Sequence, residues 1–345
     1  MSLHDEIHEQ PDRLAGLLAG QREAVQEIGR AIRSREVLYA FIAARGTSDN
    51  AARYANYLWG AKNRLPLALA TPSLFTYYQQ PPRLKNALVV GISQSGQSPD
   101  IVSVVAEGRR QGCLTLAVTN TPDSPLARAA ELVLDLQAGQ ERSIAATKTY
   151  TAELLALAML SSAMEDDEAS WIDLGKVPGW VGEALAGEVA IPGSVEPYRD
   201  VSRCVVLGRG YNFATAFEWA LKLKELTYVE AEPYSTADFQ HGPIALVDEG
   251  FPVFATAQDG PLFESSLELL RTLREDHLAS LVVISNNPKA LEIAQTPVPM
   301  PGGIPEWLTP IVAIVPAQLF VYHLALARGI DPDRPRLIRK VTETH

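Results

Sequence analysis

Residues 87–110 read ALVVGISQSGQSPDIVSVVAEGRR, and the order of their chemistry decides the fold class. The first six are apolar throughout, which suits a strand in a parallel sheet covered on both faces rather than one with a wet face. Ser93, Gln94, Ser95, Gly96, Gln97 and Ser98 follow as a hydroxyl-rich loop with one glycine. Pro99 then stands where a helix accepts proline best, in the first turn, with Ser98 as its expected cap, and the helix runs through Ile101 to Arg110. A buried strand, a polar loop and a helix in that order form one unit of an α/β fold.

Working outward, the same alternation recurs on both sides. Upstream, a helix is expected from Leu14 to Arg35 and a strand from Leu38 to Ala43. The strand ends in ARGTSDNAARYANYLW, where Gly46 breaks it and Ser48 or Asp49 caps the next helix. A strand at Leu65–Ala70 completes that side. Downstream come the strand LTLAVTN, a short helix, the strand LVLDL, a loop from Gln137 to Ala146, and a helix from Thr147 to Met164. The run EDDE at 165–168 reads as a solvated helix end, and a helix around Val177–Val189 with the stretch Pro192–Pro197 connects to a second lobe.

There, CVVLGRGYNFATAFEWALKLKEL repeats the strand, glycine loop and long helix. Setting FIAARGTSDNAARYA against VVLGRGYNFATAFEW places Arg45–Gly46 opposite Arg209–Gly210, a weak internal repeat. A strand at Phe251–Thr256, a helix at Phe263–Glu275, a strand at Ala279–Ser285 and a helix at Thr309–Ala327 follow. The expected fold is α/β, with two tandem doubly wound parallel-sheet lobes spanning 1–190 and 191–345. Ligands should then sit beyond the carboxyl ends of strands.

Composition agrees with a folded globular chain: 345 residues, 47% hydrophobic and 21% charged. The net charge of -11, from 30 basic and 41 acidic residues, disfavours nucleic acid, which recruits an extended basic surface. A small anion remains compatible, because loop amides and hydroxyls bind phosphate locally. Cys113 and Cys204 fall in or beside buried strands and read as small apolar residues rather than a disulfide or metal pair. The start, MSLHDEIHEQP, has no apolar core and is not a signal peptide. TPIVAIVPAQLFVYHLALARG is interrupted by Pro316 and His323 and reads as a buried helix, so no membrane partner is expected. The cytoplasm is the expected location.

The hydroxyl loop follows a strand and opens a helix, so free amides and the positive helix end converge there. Ser93, Ser95, Gly96 and Ser98 could cradle a phosphate, although a polar turn with a simple cap has the same residues. Without a Walker lysine the loop does not suit a nucleotide triphosphatase. Gly46, Thr47 and Ser48 form a matching edge if their strand neighbours that of the hydroxyl loop. Gly208–Gly210 is too common a pattern to imply a dinucleotide, and no cofactor is expected.

Lys222 and Glu225 lie three apart in ALKLKEL and share a helix face. An ordinary surface ion pair fits that spacing, and so does a carboxylate that moves a proton between adjacent sugar carbons. His241, in AEPYSTADFQHGP, sits in a loop before Gly242 and Pro243, either structural or catalytic. Lys340, in the tail, could form a Schiff base if an apolar or cationic setting keeps it neutral; otherwise the tail is solvated. No HExxH or related spacing supports a metal.

The segments EIHEQP, GTS, SQSGQS, AATKTYTAE, LKLKE, QHGP and the terminal KVT together resemble the sugar isomerase (SIS) domain family. The likeness is to the isomerase half of glucosamine–fructose-6-phosphate aminotransferases and to free-standing sugar-phosphate deaminases. The resemblance implies that Ser48, Ser93, Gln94, Ser95 and Ser98, with the Ala145–Ala146–Thr147 loop, hold a sugar phosphate, and that Glu225 shuttles a proton between C1 and C2. It implies that Lys222 assists, that His241 opens the ring from the neighbouring subunit of a homodimer, and that Lys340 forms an imine with a ketose.

Three positions depart from the aminotransferase pattern: no serine separates Lys340 from Val341–Thr342, alanine stands at 146, and SQSGQS replaces SQSGET. The chain begins at the isomerase domain, so the expected reaction lacks a glutaminase and runs from glucosamine 6-phosphate to fructose 6-phosphate and ammonia. A fructosamine-type deglycase, cleaving amino-acid adducts of sugar phosphates, and a noncatalytic sugar-phosphate regulator are the alternatives.

Overall fold

Ten strands among the described residues form two five-stranded sheets, all of whose pairings are parallel. The structure is a computed structural model that describes residues 2–337 and residue 340. The first sheet contains β1 (Tyr39–Ala43), β2 (Leu67–Leu69), β3 (Ala87–Ile92), β4 (Leu114–Thr119) and β5 (Leu132–Asp135), in the order β2-β1-β3-β4-β5. The second contains β6 (Arg203–Gly208), β7 (Glu230–Ser235), β8 (Pro252–Thr256), β9 (Ser280–Ser285) and β10 (Thr296–Pro299), in the order β10-β9-β8-β6-β7. Read from its own first strand, each sheet has the same order, which makes the weak sequence repeat a structural one.

The apolar hexapeptides behave as expected of doubly covered strands: every residue of β3 and of β4 is buried. One face of the first sheet packs Phe41, Val89 and Ala117 against Ile101, Val104 and Val105 of the Pro99–Arg110 helix. In the second sheet Val205, Val253 and Val283 meet Leu267, Leu270 and Leu273 of the Phe263–Glu275 helix. The Thr309–Ala327 helix is long and apolar enough to qualify as a membrane span, within a window from Glu306 whose mean hydropathy is 1.8, yet 78% of that window is buried in protein. It packs on the Phe213–Thr227 and Val177–Ala186 helices, as a buried helix should.

Two strands were not expected from the sequence, β7 and β10, and both are sheet edges. β7 carries Glu230, Glu232 and Pro233, and β10 carries Pro297 and Pro299. Edge strands tolerate proline and charge because one side of the ladder is open, so their sequences lose the apolar signature.

Other corrections are local. A six-residue helix, Leu3–His8, precedes the expected opening helix and is capped by Ser2 and Asp5 in a reciprocal box. The helix after β1 begins at Gly46 behind Arg45 with no side-chain cap, so neither Ser48 nor Asp49 caps it. The acids at 165–168 join two helices, where Asp167 accepts from the amides of Ala169 and Ser170. Both cysteines are buried and unbridged.

By compactness the chain divides into two units. Residues 2–11, 142–147 and 177–337 form one unit with the second sheet, and residues 12–141 and 148–176, with Lys340, form the other with the first sheet. Secondary-structure order predicts lobes contiguous in sequence, but the short opening helix and the loop after β5 find their partners across chain distance.

Candidate functional site

In the unit of the first sheet, β1 and β3 are neighbours, with Ala43 registered on Gly91. Each is flanked by a different strand, so the chain leaves them in opposite directions, and the crevice beyond their carboxyl ends is where doubly wound sheets bind ligands. The first helical turn at Gly46–Ser48 and the Ser93–Ser98 loop therefore leave the same end of adjacent strands. The second loop is braced from within and behind: the Gly96 amide donates to Ser93 Oγ at 3.1 Å, and the amides of Asn120 and Leu126 donate to the Gln94 and Gly96 carbonyls, each at 3.1 Å. Gly96 has φ +61°, and a Cβ there would lie 2.1 Å from Ser124 Oγ. Ser98 occupies the N-cap of the Pro99–Arg110 helix without a side-chain capping bond. Its hydroxyl is not consumed by the helix end it stands over.

Arg45, which sequence reasoning passed over as a site residue, ties the two loops together. Its Nε donates to Asp100 Oδ2 at 2.8 Å, in the first turn of the helix that the hydroxyl loop opens. Asp100 is buried, whereas the arginine side chain is 53% exposed. The only sequence signal was the Arg-Gly repeat: Arg209 and Gly210 adopt matching extended and left-handed conformations in the second sheet.

Ser48 Oγ donates to the buried Glu153 Oε1 at 2.7 Å. With its proton given to a carboxylate, this hydroxyl presents lone pairs, which suit a sugar hydroxyl better than a phosphate oxygen. Lys340 Nζ donates to Glu141 Oε2 at 2.9 Å. That carboxylate also accepts from Thr149 Oγ1 at 2.7 Å and from the Thr149 amide at 3.2 Å. Lys340 is thus paired with a buried carboxylate. Val341 and Thr342, which complete the tail motif, lie outside the described residues.

The unit of the second sheet holds the other candidates. On the Phe213–Thr227 helix, Lys222 Nζ lies 2.5 Å from Glu225 Oε2 and 3.3 Å from Glu218 Oε1. Glu218 and Lys222 are 0% and 2% exposed, and Glu225 is 24% exposed. Spacings of four and three put all three on one helix face. Burial works against the Lys222 ammonium, but the two carboxylates outweigh it and hold its pKa above the usual lysine value. The surface ion pair allowed by spacing is therefore replaced by a buried triad with one accessible carboxylate. Glu218 was missed, although it lies one helical turn before Lys222.

His241 is exposed, its amide donating to the Asp238 carbonyl at 3.0 Å in the turn before Gly242. Among the described residues no side chain hydrogen-bonds its ring. The Ala145–Thr147 stretch, which the resemblance adds to the phosphate-holding residues, belongs to the unit of the second sheet. There Glu6 accepts from the backbone amides of Arg142 and Ser143, and Gln318 reaches the Thr147 carbonyl.

Comparison with known proteins gives these features a context. The SIS domain model matches residues 38–163 and 198–328. The chain is 35% identical to a glutamine–fructose-6-phosphate aminotransferase (isomerizing) of Thermus thermophilus, over 97% of this chain and 57% of that protein. It therefore spans little more than half the length of such relatives. A protein of Silicibacter pomeroyi DSS-3, provisionally assigned as a phosphosugar isomerase, is 30% identical in a crystal structure, covering 96% of this chain and all of its own, with a TM-score of 0.86. The C-terminal domain of the glucosamine–fructose-6-phosphate aminotransferase of Francisella tularensis is 26% identical, covering 96% of this chain and 98% of its own, with a TM-score of 0.87.

Proposed function

From the premise that this chain belongs to the SIS domain family, we propose that it isomerises and deaminates an amino-sugar phosphate, converting glucosamine 6-phosphate and water to fructose 6-phosphate and ammonia. The observation that carries this reading is the Glu218–Lys222–Glu225 triad. A regulator needs a phosphate cradle but has no use for a buried ammonium aimed at a partly exposed carboxylate, whereas proton transfer between C1 and C2 needs both.

In this reading the amides and hydroxyls of Ser93–Ser98 receive the phosphate at the helix N-terminus, and Thr47 and Ser48 position the sugar. His241, supplied by the second subunit of a homodimer, opens the ring. Glu225 takes the proton from C2 of the open chain and returns it to C1. Lys222, held as an ammonium by Glu218, stabilises the negative charge that develops on O1. As C1 gains that proton, O1 takes up another and the C2 amine gives one up, so the product of the shift is a C2 imine; water adds to C2, the carbon–nitrogen bond breaks, and ammonia leaves with the ketose formed. Lys340 enters only in the direction that starts from a ketose, once its pair with Glu141 opens.

The test is ammonia release from glucosamine 6-phosphate by the purified chain beside a Glu225→Gln variant. Release that is lost in the variant supports the reading. No release from the folded wild type, with turnover of an amino-acid adduct of fructose 6-phosphate, would replace it with adduct cleavage; no turnover of either would leave a sugar-phosphate binder.

A further inference from the structure

Three of the chain's six histidines turn toward one carboxylate. His4 Nε2 and His323 Nε2 lie 2.8 and 2.6 Å from Glu188 Oε1, and His8 Nε2 lies 2.8 Å from Glu188 Oε2. The four side chains come from three elements of one unit: the Leu3–His8 helix, the short turn of helix at Gly187–Ala190, and the Thr309–Ala327 helix. His4 and His8 are four apart, so one face of their helix presents both rings. The rings are packed as well: His4 stands 4.5 Å from His8 and 5.0 Å from Tyr322 between centroids.

We propose that His4, His323 and Glu188, joined by His8, bind a divalent transition ion of the zinc class, which fastens the opening helix to the core helix. The donor set is the first argument. Imidazole nitrogen with one carboxylate is the chemistry zinc selects, and four such ligands complete a tetrahedron. Geometry is the second. The donor atoms of His4, Glu188 and His323 lie within 4.8 Å of one another, and a tetrahedral ion with bonds of about 2.0–2.1 Å spaces its donors roughly 3.4 Å apart, so small side-chain rotations close the site.

Charge is the third argument. Two imidazoles address the same carboxylate oxygen and a third addresses its twin, an arrangement in which each facing nitrogen must carry a proton. An ion uses the same nitrogens through their lone pairs and removes that crowding. The surroundings are anionic: Asp5 stands on the same short helix as His4 and His8, and Asp333 accepts from the Leu3 amide. Access is the fourth. His4 and His8 are 34% and 39% exposed, against 16% and 17% for His323 and Glu188, so an ion can enter from solvent onto a half-buried floor.

The experiment uses the full chain freed of any purification tag and stripped with chelator, titrated with cobalt(II) by visible absorption and with zinc(II) by calorimetry. One equivalent per chain is expected, with ligand-field bands of a low-coordinate nitrogen and oxygen site and a raised thermal midpoint. His323→Ala and the double variant His4→Ala/His8→Ala should each weaken binding by more than roughly 100-fold, beyond the loss that outer-shell changes cause. The double variant alters only a short terminal helix, and its circular dichroism verifies the fold. His241→Asn should bind as wild type does. No binding by the wild type, or unchanged binding by the folded double variant, overturns the proposal. The readout is metal binding rather than turnover, so neither outcome bears on the proposed reaction.

Discussion

At the scale of single residues, the helix-face triad makes the sharpest commitments. Lys222 has a raised folded-state pKa because two carboxylates outweigh its burial. Its contribution to stability is therefore complete below the unfolded lysine value, about 10.4, and is lost only as pH rises through the folded value. Between pH 6 and 9 it acts as a charge and a proton donor, not as a base. Glu218→Gln removes the buried anchor and should destabilise the chain by about 3 kcal/mol, the lower end for breaking a buried pair, since Glu225 remains. Urea unfolding measures this, and wild-type stability would refute the anchoring role. Glu225→Gln should destabilise the chain less than Glu218→Gln, because Glu225 is partly exposed and Glu218 still pairs the ammonium, and should lower kcat for ammonia release by roughly 10²–10⁴-fold, the usual worth of a positioned proton-transfer group.

Lys340 gives a second residue-scale test. Borohydride reduction with fructose 6-phosphate should label it more in folded Glu141→Gln than in wild type, and equal labelling would show that the ion pair does not restrain the amine. Lys222 and Glu225 were legible because three-residue spacing is visible in any helix. Glu218 was equally visible at four residues, but spacing carries no information on burial, which makes a charged face a cluster.

At the scale of elements, the hydroxyl loop depends on one backbone conformation. Gly96 sits at φ +61° with Ser124 Oγ where a Cβ would go. Gly96→Ala should cost about 1–3 kcal/mol through crowding and a left-handed backbone, and should raise KM for the sugar phosphate as the loop shifts. A thermal midpoint and KM equal to wild type would show that the loop has more room than its packing implies. On β6, burial pushes the Cys204 thiol up to about 12, so it should resist an aromatic disulfide reagent at pH 8 until the chain is denatured; rapid reaction of the native protein would mean that the strand opens.

The elements themselves were legible where their sequences are runs of apolar residues. β3, β4 and β6 are continuous apolar runs, whereas the edges β7 and β10 were missed, since half-open ladders permit the glutamates and prolines they carry. The opening helix Leu3–His8 was also missed, although its Ser2–Asp5 box and the His4–His8 interval were present in the sequence; six residues are too few for periodicity to show.

At the scale of the whole molecule, the proposed use of His241 from a second subunit has a direct test. Mixing His241→Asn with Glu225→Gln chains, each inactive alone, should restore about a quarter of wild-type activity if subunits of a twofold dimer exchange freely, because one site in each mixed dimer is intact. No recovery, with exchange verified by mass spectrometry, would place His241 in its own chain's chemistry, and a His241→Asn chain active alone would place it outside the reaction. The two sheets share one strand order and matching Arg-Gly turns, so the doubled α/β plan was readable from strand, loop and helix alternation alone. The grouping of 2–11, 142–147 and Lys340 with residues remote in sequence has no signal in that alternation.

The sequence by itself determined the class of fold, the hydroxyl loop over a helix start and the lysine–glutamate pair, all consequences of local periodicity and backbone chemistry. Only the tertiary structure decided which charges are buried together: Glu218 under Lys222, Glu141 on Lys340, Glu153 on Ser48 and Glu188 among three histidines. The physical reason is that pairing of charges depends on desolvation and on contacts between distant segments, and neither has a period along the chain.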